Sequence, residues 1–169
     1  MLDAGGPAAV TLREVGARTG VSRSAPYRHF ADKETLLAVL ATNAVVELGD
    51  TLEGLTKRDD PPAHTLRAAL LALINIGRAR PHLYRLMFTT PSVDPAAAVQ
   101  AADRTWELFI DIVERVVGPN QARRYGALLL TNAHGIASFE SSGHLVEDKW
   151  QTTAEQLIDT VVSLLPDVT

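Results

Sequence analysis

Cysteine is absent, so the chain can form neither a disulfide nor a thiolate metal site, and a reducing, cytoplasmic setting is the expectation. Aromatic residues make up only 5% of the sequence and methionine occurs twice, so any core must be largely aliphatic. No uninterrupted apolar run approaches the roughly 18 residues of a membrane span, and no signal-peptide pattern is visible, so no membrane partner is expected. No Gly-x-Ser-x-Gly elbow, phosphate-cradling glycine loop or His-Glu-x-x-His pair is spelled out. The five histidines (His29, His64, His82, His134, His144) include none spaced i, i+4 with another. Glu140 and His144 have that spacing, with Gly143 between them, which reads as a surface ion pair or cap rather than a metal site. Neither an enzyme nor a cofactor is therefore expected. The net charge of −4 argues against non-specific coating of nucleic acid or membrane.

What is present is concentrated between Thr11 and Leu40. Leu12, Val15 and Gly16 fall at i, i+3 and i+4, one face of a short helix. Thr11 precedes it as N-cap, and Glu14 completes a capping box. Gly20 lies where a chain leaving a helix needs positive φ, with Val21 set to plug the gap to the next helix. Ser22 offers an N-cap for a second helix over 23–30, in which Pro26 predicts a tightened or shifted start. Helix, short turn and second helix is the helix-turn-helix pattern, whose second helix enters the DNA major groove. Arg23, Tyr27 and Arg28 share one side of that helix, with Ser24 and His29 nearby; these side chains suit phosphate contact and base reading. Residues 11–33 hold five basic residues and two acidic ones, a balance of +3, which leaves −7 for the rest of the chain. A basic island in an acidic protein fits DNA binding by a local patch, against the blander reading of a solvated hairpin.

These residues resemble a known family. Thr-Leu-Arg-Glu-Val at 11–15, Gly-Val-Ser at 20–22, Tyr27-Arg28-His29-Phe30 and Lys33-Glu34-x-Leu36-Leu37 are similar to the DNA-binding domain of the tetracycline-repressor (TetR) family. The resemblance implies phosphate contacts from Thr11, Tyr27 and Lys33. It implies a groove-facing set of Arg23, Ser24, Tyr27, Arg28 and His29, followed by a helical ligand-binding and dimerisation domain. Family members carry a helix before the motif, and Met1 to Pro7 looks like the tail of one, ending at Gly5-Gly6, with the body of that helix missing. Ala133-His134-Gly135 is a partial match to a TetR subgroup whose regulatory domain has Trp-His-Gly at this place.

From Asp32 onward nearly everything reads as helix, and the expected fold class is all-α. Asp32 caps a long helix ending near Lys57, and Lys57–Pro62 reads as a linker. The expected domains are a DNA-binding unit at 1–56, lacking its full first helix, and a regulatory and dimerisation unit at 57–169. Further helices are expected over 63–80, 82–89 and 96–117, with a loop over 90–95. The stripe Trp106, Phe109, Ile110, Val113 and Val117 points inward from the third of these. A helix capped by Asn120 and a last one over 149–165 follow. That last helix bears two apolar rows, one of Trp150, Ala154, Leu157 and Val161, the other of Ile158, Val162 and Leu165. So wide a face predicts burial both within the body and against a second copy, giving a homodimer through the last two helices. A cavity among the helices of the body could be lined by His82, Tyr84, Met87, Phe88, Trp106, Phe109, Ile110 and His134, although each aromatic taken singly could be ordinary core. The expected function is a sequence-specific transcriptional regulator. It would repress from a palindromic site on double-stranded DNA and be released by a small-molecule effector of unknown identity. The alternative is a small-molecule-binding or interaction protein that has lost DNA binding.

Overall fold

The structure is a computed structural model that describes residues 1–89 and 95–166. Among the described residues there are nine α-helices and no strand. They are α1 (Leu2–Gly5), α2 (Leu12–Arg18), α3 (Lys33–Thr56), α4 (Pro62–Ala79), α5 (Pro81–Met87), α6 (Pro95–Val117), α7 (Ala122–Ser141), α8 (Glu147–Trp150) and α9 (Ala154–Ser163). Three-residue 3-10 turns occupy Pro7–Ala9 and Pro26–Arg28. Of the loop expected over 90–95, residues 90–94 lie outside the described residues, and Pro95 is the first residue of α6.

Two cores hold the chain. The smaller gathers Leu2, Val10, Leu12, Leu36, Leu37, Ala44 and Leu83. The larger is built on Leu52, Leu66, Ile74, Ile112, Val113, Leu129 and Ile158. Because α3 contributes Leu36, Leu37 and Ala44 to the first and Leu48 and Leu52 to the second, the change of core falls inside this helix. Its start is fixed by Asp32, whose carboxylate accepts from the Thr35 amide and hydroxyl, both at 2.7 Å. By length and mean hydropathy (1.3) α3 could also cross a membrane, although its longest unbroken apolar run is the six residues 36–41. Five of its buried residues, Leu36, Leu37, Ala44, Leu48 and Leu52, are spent on the two cores instead.

Three sequence expectations are corrected in the body. The stripe of α6 is rotated: Thr105, Phe109, Ile112, Val113 and Val117 are buried, whereas Trp106 and Ile110 are half-buried. The cause is close packing on α3, where the Thr105 hydroxyl donates to the Val45 carbonyl at 3.0 Å and so can be buried. Gln121, not Asn120, is the N-cap of α7, and it makes no side-chain cap bond. The single last helix is two. Gln151 takes a left-handed conformation (φ 51) and ends α8, and α9 then restarts from a reciprocal capping box between Thr153 and Gln156.

Candidate nucleic-acid interface and effector site

The head begins as expected. Thr11 accepts from the Glu14 amide at 3.2 Å and starts α2, while the Glu14 side chain turns away to Arg18 at 3.0 Å. Gly20 has φ +72, the left-handed turn that a side chain would strain. The second helix is where sequence and structure part. Residues 23–30 do not form an α-helix; they fold as a bend followed by the 3-10 turn Pro26–Arg28. Pro26 lacks the N–H that would reach back four residues, and the chain bonds at spacing three instead: Ala25 to Ser22, Tyr27 to Ser24, Arg28 to Ala25. Ser22 is therefore not a helix cap. Val21 does not plug the gap either, being 49% exposed. The buried residue is Pro26, and it fits because Gly16 has no side chain: a Cβ there would lie 3.3 Å from the Pro26 ring and 3.0 Å from the Ser22 carbonyl.

This packing turns the cationic side outward. Arg23, Ser24, Tyr27, Arg28 and His29 are all exposed, with Thr11 exposed beside them. Lys33, half-buried at the start of α3, approaches Glu34 at 3.8 Å. Among the described residues neither Arg23 nor Arg28 has a carboxylate partner. A surface of unpaired cations, hydroxyls and a tyrosine on a tight turn can neutralise phosphates and reach base edges.

In the body, the structure brings four of the eight expected lining residues together. The Tyr84 hydroxyl lies 3.0 Å from His134 Nδ1, and the two rings stack at 5.5 Å. Burial raises the pKa of Tyr84, so its hydroxyl keeps its proton and can donate to Nδ1. Phe88 covers His134 at 4.4 Å and faces Trp106 at 6.5 Å. Phe109 and Trp106 border a void of only about 10 Å³, too small for an effector. Ile110 is not in the group; it packs over Gly126 of α7. His82 is not there either, since it lies against Gly6 and shares a 3.2 Å contact with Arg85, at the seam with the head. Glu140 and His144 do not pair: Glu140 takes Arg78, and His144 Nδ1 meets the Ser142 hydroxyl at 2.9 Å.

A cavity of about 290 Å³ lies elsewhere, between α3, α5 and α6. Met87 and Phe88 line it, as the sequence suggested, but Ala41, Val45, Ala98 and Ala102 form the other walls. No sequence signal marks those four, because small apolar residues on a helix read the same whether they face a neighbour or a hole.

A capped helix, a glycine turn and an exposed cationic segment in front of a helical body are the parts of a DNA-binding regulator, with a 3-10 turn where the second helix of the helix-turn-helix pattern was expected. The chain belongs to the TetR family: the model of the tetR family of bacterial regulatory proteins matches residues 1–40, and that of the tetracyclin repressor-like C-terminal domain matches residues 66–165. The match from residue 1 places α1 inside the DNA-binding domain. Similar solved structures include a protein of unknown function from Rhodococcus sp. RHA1, with TM-score 0.79 and 25% identity over 97% of this chain and 89% of that one. The TetR family transcriptional regulator PfmR from Thermus thermophilus has TM-score 0.58 and 18% identity over 96% and 91%. AibR, solved with isovaleryl coenzyme A and operator DNA, has TM-score 0.57 and 18% identity over 99% and 93%. No curated protein matches the sequence.

Proposed function

We propose that the chain acts in the cytoplasm as a homodimeric repressor that binds a palindromic operator and is released by a small-molecule effector. The observation that carries this reading is the outward cationic face of the head, Arg23, Tyr27 and Arg28, on a head that shares α3 and α5 with the body. Thr11, Tyr27, Arg28 and Lys33 anchor phosphates, and Arg23 reads a base, with Ser24 and His29 alongside in the groove. An effector entering near Phe88 displaces α5 relative to α3 and changes the spacing of the two heads. Tyr84, Met87, Trp106, Phe109 and His134 support Phe88 there, whereas His82 and Ile110 act at the seam and in packing.

Exposed apolar residues support the dimer. Leu128 and Phe139 on α7, Val146, Trp150 and the 77%-exposed Leu164 after α9 leave an uncovered face on the α7–α9 side. AibR gives a precedent for combining operator DNA with an acyl coenzyme A ligand in this fold. Fluorescence anisotropy with DNA from upstream of the gene tests the repressor reading: saturable binding with a steep salt dependence is expected. Light scattering after gel filtration tests the dimer, and a monomer at micromolar concentration sinks it.

The replacement of the second helix by a 3-10 turn favours a second reading, an effector-binding or interaction protein without DNA binding. No anisotropy change at low salt selects it.

A further inference from the structure

We propose that His82 is a positioning residue for DNA binding: it seats the head on the body only while uncharged, so a proton on its ring weakens the operator complex. The inference rests on the regulator reading for its effect on DNA, and on the seam alone for its effect on the head. Gly6 ends α1 with φ +67, a conformation that glycine adopts freely, and it is buried with the His82 ring against it. A Cβ there would lie 3.0 Å from Cε1 and 3.1 Å from Nδ1 of His82, so the missing side chain is what admits the imidazole. The Gly6 amide already donates to the Leu2 carbonyl, and its own carbonyl accepts from Ala9. Leu83, the next residue of α5, is buried in the head core with Leu2. The ring is therefore a strut between α5 and the end of α1.

The charge state follows from the partner. Arg85 Nη2 lies 3.2 Å from His82 Nδ1, and Arg85 Nε donates to the Pro81 carbonyl at 3.2 Å, which holds the guanidinium over the first turn of α5. A guanidinium only donates, so Nδ1 must accept and the ring proton sits on Nε2. A second proton would set an N–H donor and a positive charge against those of Arg85 at that same 3.2 Å. The charged groups across the seam offer no relief. Asp3, the carboxylate of α1, is engaged by Arg80 at 3.3 Å, and Arg80 is itself a cation. A charged His82 relieves the conflict by leaving Gly6, and α1 loses its strut while Leu2 and Leu83 remain packed.

A pH titration followed by NMR reads the seam without DNA. In the wild-type chain the His82 ring signals and the Gly6 amide cross-peak are expected to titrate with one midpoint. In His82→Gln, which keeps an acceptor and cannot take the charge, the Gly6 cross-peak should stay still. A Gly6 signal that ignores the His82 titration, or that moves equally in His82→Gln, overturns the assignment. Fluorescence anisotropy with upstream DNA, at fixed ionic strength, then compares about pH 8 with about pH 5.5, the range in which imidazoles gain their charge. The other histidines, including His29 on the DNA face, are common to both proteins, so the variant sets the baseline. Over that step wild type should lose about threefold to tenfold in affinity relative to His82→Gln. Arg85→Gln, which removes the opposing cation, should abolish most of that loss. An equal response from wild type and His82→Gln, or the full loss kept in Arg85→Gln, overturns the assignment. Absence of DNA binding at both pH values strikes the regulator reading and leaves the NMR titration to decide the seam.

Discussion

The head and the body solve opposite problems with the same kind of element. The body closes on side chains with no exposure at all, among them Leu66, Ile74, Ile112, Leu129 and Ile158, drawn from four helices. The head has no such centre. Its most enclosed residues, Val10 and Leu83, keep 3% and 2% exposure, and Leu83 is lent by α5 of the body. Its buried glycine and proline make one close contact and leave five polar or charged side chains outside. An outward cationic surface cannot also be a core, so the head depends on its neighbour for stability. That dependence is a route for coupling, because what moves α3 or α5 moves the floor of the head.

The comparison breaks first at the body core. Ile112→Ala should cost about 2–5 kcal/mol and lower the melting temperature of the whole chain; a loss confined to the body's circular dichroism would mean the head stands alone. Leu83→Ala should cost slightly less, about 2–3 kcal/mol, because a thin core collapses more easily around the hole. Its signature is hydrogen exchange: amides of α2 and the first turns of α3 should speed up while those of α4 and α7 do not. Uniform acceleration would erase the distinction between the two cores.

Smaller effects sharpen the comparison at the DNA face. Arg23→Ala should cost about 1–3 kcal/mol at one base position and leave thermal stability unchanged. Lys33→Ala should weaken every sequence alike and reduce the salt slope by about one. Sequence-blind losses of equal size from both substitutions would refute that division of roles.

The smallest effect belongs to the body's surface. Arg78 ties α4 to Glu140 of α7 and Glu155 of α9, at 2.7 and 2.6 Å. The Arg78 hydrogen bond is the main cause that pulls the Glu155 carboxyl down to about 2. A depressed carboxyl contributes its stability in full above its ordinary pKa of 4.5 and loses it as the pH falls toward 2. The side chain is 40% exposed, so screening holds the contribution to about 0.5–1 kcal/mol. Glu155→Gln should melt below wild type near neutral pH, and the two curves should converge near pH 2.

Most of the helix boundaries were legible because their signals are local. Thr11, Asp32, Gly20 and Pro81 each act within one turn, and the structure places them where their chemistry demands. The missed break before α9 was legible too, in Thr153-x-x-Gln156, but the apolar rows of 149–165 run through it and masked the cap. The rotation of α6 was not legible. Nothing in its own sequence says that Val45 will offer a carbonyl to Thr105.

By itself the sequence determined the all-helical fold, the family, and the placing of a basic island ahead of an apolar body, since propensity, capping and charge are written residue by residue. Tertiary packing alone decided two things: that His82 would go to the seam while His134 met Tyr84, and that a hole would open beside Phe88. Each depends on how closely two helices approach, and that distance is set by side chains far apart in the chain.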